Sequence, residues 1–263
     1  MIRYSQLYWQ FFKKHLKVMM EYRLDFFIGV MSVVLIQFTS IFFVKVVFDQ
    51  IEDLNGWGFY EVLFIYGVAT MGRSIHHIFF DNLWTIGWQY IRPGNFDRLL
   101  IRPINPLFHL IADRVQQDGF GQLVIGGLLM AAAMPHLGVE WGPVNLLILL
   151  VLIVSSGAIF VAVNLFFATL SFWIVDSLPI TFAAFNLSDF ARYPLNIYHK
   201  GIRWLLTWLI PYGFTAFYPA AAFIEHSGYR ELGMITPLIA VISCWLAYRF
   251  WKVGLRAFNS TGS

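Results

Sequence analysis

A short basic element separates two long apolar stretches of this chain: Ile91-Arg92-Pro93-Gly94-Asn95-Phe96-Asp97-Arg98-Leu99-Leu100-Ile101-Arg102-Pro103. Mostly apolar sequence precedes it, and a further apolar run begins after Arg114. An exposed loop that carries three arginines is poorly suited to lipid and well suited to an acidic partner at a membrane surface. The element therefore predicts a membrane protein and marks the place where that protein contacts a partner.

The composition predicts an all-α, polytopic membrane protein. The chain has 263 residues, of which 59% are hydrophobic and 13% are charged, whereas a soluble domain has about 25% charged residues. Its apolar runs have the length of membrane helices and lack the short alternation of a membrane β-barrel. We expect six transmembrane helices in a single domain, residues 1–263. They are predicted, in order, at 26–48, 60–80, 115–134, 143–173, 176–193 and 234–251.

Residues 1–25 predict an amphipathic helix that lies in the membrane interface rather than across the membrane. Apolar and polar side chains recur there with the period of a helix. Lys13, Lys14 and Lys17 belong to the polar set, so we expect them to face anionic lipid headgroups.

Residues 194–224 predict a re-entrant helical hairpin before the last span. Pro194, Pro211 and Pro219 divide this stretch into apolar pieces that are too short to cross a bilayer. Broken backbone at membrane depth is tolerated only where protein or a cavity covers it. A competing interpretation also has six spans but makes 203–224 the fifth, with the preceding residues in the cytoplasm.

The distribution of lysine and arginine predicts that both termini are cytoplasmic. With the N-terminus inside, the inner segments carry twelve of the 18 basic residues and the outer segments carry four. This bias follows the positive-inside rule. It places residues 1–25, residues 81–114 and the end of the chain on the same side of the cell membrane.

The basic element itself predicts a short helix. Asn95 or Asp97 could cap its start, because both side chains accept hydrogen bonds from free backbone N–H groups. Arg98 and Arg102 are four residues apart and should share one face of that helix. Pro103 should end it, with Pro106 just beyond.

Charged residues within the predicted spans should face protein or water, because exposure to lipid is costly. Arg73 and Asp118 are such residues, and we expect Arg73 to pair with Asp81 or Asp118. The adjacent His76 and His77 should point to different faces of a helix, so we expect no metal site there.

The arrangement resembles the ABC-2 type permeases, especially those described only as ABC-2 family transporter proteins. The most specific part of the resemblance is the motif at 92–103, followed by Pro106-Leu107-Phe108 and Arg114. A later element, from Tyr193-Pro194 to Tyr218-Pro219, also matches such permeases. The resemblance covers nearly the whole chain.

The resemblance implies one transmembrane half of an ATP-binding-cassette exporter in the cell (inner) membrane of a prokaryote. A second half, identical or related, and two separate ATPase subunits would complete the transporter. Segment 81–114, which we call the coupling region, would include the helix that docks on the ATPase, and the re-entrant segment would cover the exit side. Membrane lipids are further expected partners, and nucleic acid is not. The residues expected to couple to the ATPase are Arg92, Pro93, Gly94, Asp97, Arg98, Arg102 and Pro103.

We do not expect this chain to be an enzyme. It has no G-x-x-x-x-G-K-[ST] phosphate loop, so Mg-ATP would be bound by the partner ATPase and this chain would hold no cofactor. Glycines in the third predicted span favour close helix packing instead; they are Gly119, Gly121, Gly126 and Gly127. The alternative function is that of an integral membrane scaffold or channel-like protein that works without an ATPase.

Overall fold

The computed structural model describes residues 2–174 and 177–258. Within these residues the chain forms α-helices, short 3-10 and π-helical turns and loops, and no β-strand. The α-helices are, in chain order, α1 (Ile2–Glu21), α2 (Arg23–Phe48), α3 (Phe59–Phe79), α4 (Asp97–Leu100), α5 (Pro106–Ala112), α6 (Asp118–Ala133), α7 (Pro143–Thr169), α8 (Leu178–Leu187), α9 (Lys200–Trp204), α10 (Phe217–Ala221), α11 (Arg230–Met234) and α12 (Thr236–Ala257). The predicted all-α fold is thereby confirmed.

Four helices in the described part of the chain are long and apolar enough to cross a membrane: Arg23–Phe48, Asp118–His136, Pro143–Phe172 and Thr236–Ala257. They are α2, α6, α7 and α12, with α6 and α7 each prolonged by a 3-10 turn. Their positions agree with the first, third, fourth and last predicted spans. These are the most apolar runs of the sequence, which is why the hydropathy pattern alone locates them.

Helix α3 occupies the position of the second predicted span and forms the centre of the bundle. It has 21 residues, and it packs between α6 on one side and α7 on the other. Fourteen of its residues are buried, including polar and charged ones. Protein rather than lipid surrounds α3, which allows its sequence to be more polar than that of its neighbours. That α3 crosses the membrane stays a prediction.

Glycine allows α3 and α6 to approach each other closely. A Cβ atom on Gly126 would lie 2.8 Å from Met71 Cγ, and one on Gly119 would lie 2.7 Å from the backbone of α3. Gly121 makes only ordinary contacts, and Gly127 has nothing within 4 Å. The predicted role in close packing is confirmed for Gly119 and Gly126 and not for the other two.

The fifth predicted span is not one continuous helix. Its first residue, Asp176, lies outside the described residues, α8 has ten residues, and a 3-10 turn follows at Ser188–Arg192. Ser177, before α8, bonds to the 3-10 turn that ends α7. Asn196, beyond the turn, accepts a hydrogen bond of 2.9 Å from the indole of Trp57, which precedes α3. The segment therefore passes from one end of the bundle to the other in short pieces.

The stretch 194–224 is broken by its prolines, as the sequence predicts. Pro194 and Pro211 each precede a 3-10 turn, and Pro219 lies within the five-residue helix α10. All residues of 212–224 are buried, so protein covers this irregular backbone. Helical structure stops before Pro211, so 203–224 is not one continuous helix either. The re-entrant path stays a prediction, and the competing interpretation that 203–224 forms the fifth span also stays a prediction.

Contacts between distant elements bring the three basic segments to one end of the molecule. Tyr4 of α1 packs on Phe108 of α5, with ring centroids 4.7 Å apart. Phe96 of the coupling region packs on Phe258, just beyond α12, at 4.9 Å. The segments predicted to be cytoplasmic thus lie together, which is the grouping that their charge distribution requires.

Candidate functional site: the coupling region and a buried polar network

One buried aromatic side chain, Phe96, holds the basic element at 91–103 in place; we call this element the tip of the coupling region. Its ring is fully buried and lies edge-on to Phe172 at 5.2 Å, Trp251 at 6.3 Å and Phe258 at 4.9 Å. These rings belong to the adjoining ends of α7 and α12. Each edge-on pair adds about 0.5–1.5 kcal/mol to the burial of the rings. The tip is thereby attached to two long helices at once.

A tight turn precedes this anchor. Gly94 has a φ of 72°, a left-handed conformation that glycine adopts without steric cost. The backbone N–H of Phe96 donates to the Tyr90 carbonyl at 2.9 Å and closes the loop. Asn95 does not cap α4, because Phe96 occupies the N-cap position; the Asn95 side chain donates from Nδ2 to the Gln89 carbonyl at 3.2 Å. Asp97 does not cap α4 either, because it is the first residue of that helix.

The three arginines of the tip are exposed, but they do not form the predicted helical face. Arg92, Arg98 and Arg102 are all exposed, while α4 ends at Leu100. The prediction that Arg98 and Arg102 share a helix face is wrong. Pro103 disfavours helical backbone at the residue before it, so the helix stops two residues short of Arg102. The tip presents its positive charge from a turn, a short helix and a bend.

Arg102 bonds back to α5. Its Nη1 donates to Nε2 of His109 at 2.6 Å. Burial lowers the pKa of His109, Asp113 raises it and the positive charge of Arg102 lowers it, with a net lowering. A neutral imidazole can accept the hydrogen bond, and a protonated one cannot.

Helix α5 begins at the proline that was expected to follow the short helix. Pro106 is its first residue, a position where the missing N–H costs nothing. The Asn105 side chain caps it by accepting from the N–H groups of Leu107 and Phe108 at 2.9 and 3.3 Å.

Helix α1 lies against α5 and extends the basic surface. Besides the contact of Tyr4 with Phe108, the ring of Phe11 meets the edge of His109 at 5.8 Å. The opposite face of α1 is exposed and carries the three lysines Lys13, Lys14 and Lys17. The predicted amphipathic helix and the coupling region therefore form one continuous surface at the same end of the molecule.

A buried network of charged groups lies deeper in the bundle. Arg73 of α3 donates from Nη2 to Asp189 Oδ1 at 2.8 Å and to the Ser188 hydroxyl. The prediction that Arg73 pairs with Asp81 or Asp118 is wrong. Asp81 and Asp118 were expected beside Arg73 because they lie at the ends of the second and third predicted spans. In the structure, the 3-10 turn after α8 places Asp189 beside the guanidinium instead.

The network continues to α2 and contains more positive than negative charge. Arg192 contacts the same Asp189 oxygen at 3.1 Å and donates to the Tyr66 hydroxyl at 3.1 Å. That hydroxyl donates to Gln37 of α2 at 2.6 Å. Two arginines share one carboxylate, so the network ties α2, α3 and the turn after α8 together. The spacing of Asp189 and Arg192 is visible in the sequence, but no local signal links them to α3.

The two carboxylates that do not pair with Arg73 lie in turns near the end of the bundle that carries the coupling region. Asp118 opens α6, where the positive end of the helix favours a negative charge. Asp81 contacts His77 at 2.9 Å and Arg114 at 3.3 Å. Burial raises the pKa of Asp81, but the hydrogen bond and charge of His77 and the charge of Arg114 lower it by more, so the carboxyl is ionised at neutral pH.

The fold defines a helical integral membrane protein with a basic surface at one end. The chain belongs to the ABC-2 family transporter proteins, because the model of that family matches residues 34–262. The family is a transmembrane permease domain and not a nucleotide-binding domain. No curated protein and no solved structure matches the chain. The family match begins within α2 and leaves α1 outside.

Proposed function

We propose that this chain is the permease subunit of an ATP-binding-cassette exporter. It forms the translocation path with a second, identical or related half, and separate ATPase subunits bind and hydrolyse Mg-ATP. Family membership supports this function. The observation that carries it is the construction of the coupling region, which exposes three arginines and is anchored through Phe96 to the ends of α7 and α12.

In this proposal the protein lies in the cell membrane with both termini in the cytoplasm. The grouping of α1, the coupling region and the end of α12 supports that orientation, because all three are basic. Six crossings result when α3 and the broken segment that contains α8 are counted with the four apolar helices. The segment 194–224, at the opposite end, covers the exit side.

The proposed mechanism is mechanical. ATP binding closes the pair of ATPase subunits, and each subunit carries its docked coupling region with it. Because Phe96 packs between α7 and α12, the displacement reaches both helices and changes the separation of the two permease halves. The permease contributes an element with two arrangements, and the ATPase shifts the equilibrium between them.

Reversing charge at the coupling region tests the proposal. The permease is co-expressed with a candidate ABC ATPase subunit, and the purified assembly is assayed for ATP hydrolysis in lipid nanodiscs. We expect the Arg98→Glu/Arg102→Glu double variant to lose the ATPase subunit on purification and to lose at least tenfold in permease-dependent ATPase rate. The cause is repulsion of an acidic docking surface.

The matched control is Arg230→Glu, which reverses an exposed arginine at the opposite end of the molecule. It should retain both the ATPase subunit and the rate. Equal behaviour of the double variant and the control would contradict the docking role. A wild-type chain that never co-purifies with an ATPase would favour the scaffold or channel-like alternative.

A further inference from the structure

Three potential metal ligands lie together where α3 ends. One ligand atom each from His76, His77 and Asp81 lies within 4.8 Å of the other two. The histidine rings are 5.3 Å apart between centroids, with planes at 87°, and the 3-10 turn after α3 returns Asp81 to them. The expectation that adjacent histidines point away from a common site therefore does not describe this turn.

His76 lacks hydrogen bonds where they would be expected. Its side chain is 0% exposed, and neither ring nitrogen has a hydrogen-bond partner among the described residues. A neutral imidazole has one donor and one acceptor, and burying both unpaired is unfavourable. The ring lies edge-on to Phe160 at 5.2 Å, a contact that fills space without satisfying either nitrogen. A ligand bond to a metal ion would satisfy one of them.

The two carboxylate oxygens of Asp81 have different partners. Oδ2 lies 3.3 Å from Nε of Arg114, and Oδ1 is hydrogen-bonded to Nδ1 of His77 at 2.9 Å, a bond that an ion bound between the two side chains would replace. Carboxylate ligands are commonly held by a hydrogen bond to their second oxygen. The side chains of His77 and Asp81 are 15% and 11% exposed, which leaves an entry from their side of the cluster.

We propose that His76, His77 and Asp81 bind a divalent transition-metal ion of the zinc class, with water in the fourth position. Two imidazoles and one carboxylate suit Zn²⁺, whereas Mg²⁺ and Ca²⁺ prefer oxygen ligands alone. The ion would join the end of α3 to the first turn of the coupling region. Through Arg114 it would also stabilise the loop before α6.

Zinc binding to the purified full chain tests the site. The protein carries a tag without histidine, is reconstituted in lipid nanodiscs, and competes for Zn²⁺ with a chromogenic chelator. We expect one ion per chain and a Zn²⁺-dependent rise in the thermal unfolding temperature. His77→Gln and Asp81→Asn should each weaken binding by roughly tenfold to a hundredfold and abolish that rise. Co²⁺ in place of Zn²⁺ should give the visible absorption of a low-coordinate site, absent in both variants.

His136→Gln is the control, because His136 is exposed at the other end of α6. It should bind Zn²⁺ as the wild type does. Gel filtration establishes that each variant is folded, and two independent ligand variants keep the test valid if one of them fails to fold. An absence of saturable binding by the wild type, or equal affinity in His77→Gln and His136→Gln, overturns the proposal. The readout is metal affinity, so it is independent of any ATPase partner.

Discussion

At the scale of single residues, the carboxylate of Asp189 decides how the centre of the bundle is held. It is the shared partner of Arg73 and Arg192, and it is the negative group of a network that reaches α2 through Tyr66. The Arg73 side chain is 8% exposed, whereas that of Asp189 is 48% exposed. The buried guanidinium of Arg73 therefore needs the counter-charge of Asp189, whereas the carboxylate of Asp189 is partly exposed and depends less on Arg73.

We expect Asp189→Asn to destabilise the protein by roughly 2–4 kcal/mol, because a buried guanidinium loses its counter-charge. Thermal unfolding of the purified protein in detergent measures the loss. Asp49→Asn serves as the control: Asp49 pairs with Lys45, but both side chains are more than half exposed. That variant should lose at most about 0.5 kcal/mol. Equal losses in the two variants would contradict the importance of the network.

At the scale of helices, the contact between α3 and α6 depends on which face carries glycine. We expect Gly126→Leu to separate the two helices, with a loss of about 1–3 kcal/mol or failure to fold, because Met71 occupies the space that the new side chain needs. Gly127→Leu places the same side chain one residue further, where nothing lies within 4 Å, and should change stability by less than about 0.5 kcal/mol. Unfolding temperature and yield of folded protein report both. Similar behaviour of the two variants would show that close approach at Gly126 is unimportant.

The elements that the sequence predicts well are those set by local composition. Uninterrupted apolar runs locate α2, α6, α7 and α12, and helical periodicity locates α1. Short helices are less predictable, since a single proline shortened α4 and moved Arg102 off its face. Contacts between residues far apart in the sequence leave no local pattern. Arg73 and Asp189 are separated by 116 positions, and only the path of the broken segment that contains α8 brings them together.

At the scale of the whole molecule, the single cysteine makes the orientation directly measurable. In a Cys244→Ala background, a new cysteine is the one thiol available to a membrane-impermeant maleimide. Ile101 is 84% exposed in the coupling region, and Glu225 is exposed at the opposite end. We expect the Ile101→Cys variant to react only in permeabilised cells and the Glu225→Cys variant to react in intact cells. The reverse result would place the coupling region outside and refute its role in docking an ATPase.

The enclosure of α3 has a consequence for biosynthesis. A helix that carries Arg73 and two histidines partitions poorly into lipid by itself, and here α6 and α7 shield it. Both of those helices are translated after it. We therefore expect α3 to remain at the insertion machinery, or at the membrane surface, until its later neighbours emerge. Membrane assembly of this protein would then require several helices to be released together rather than one by one.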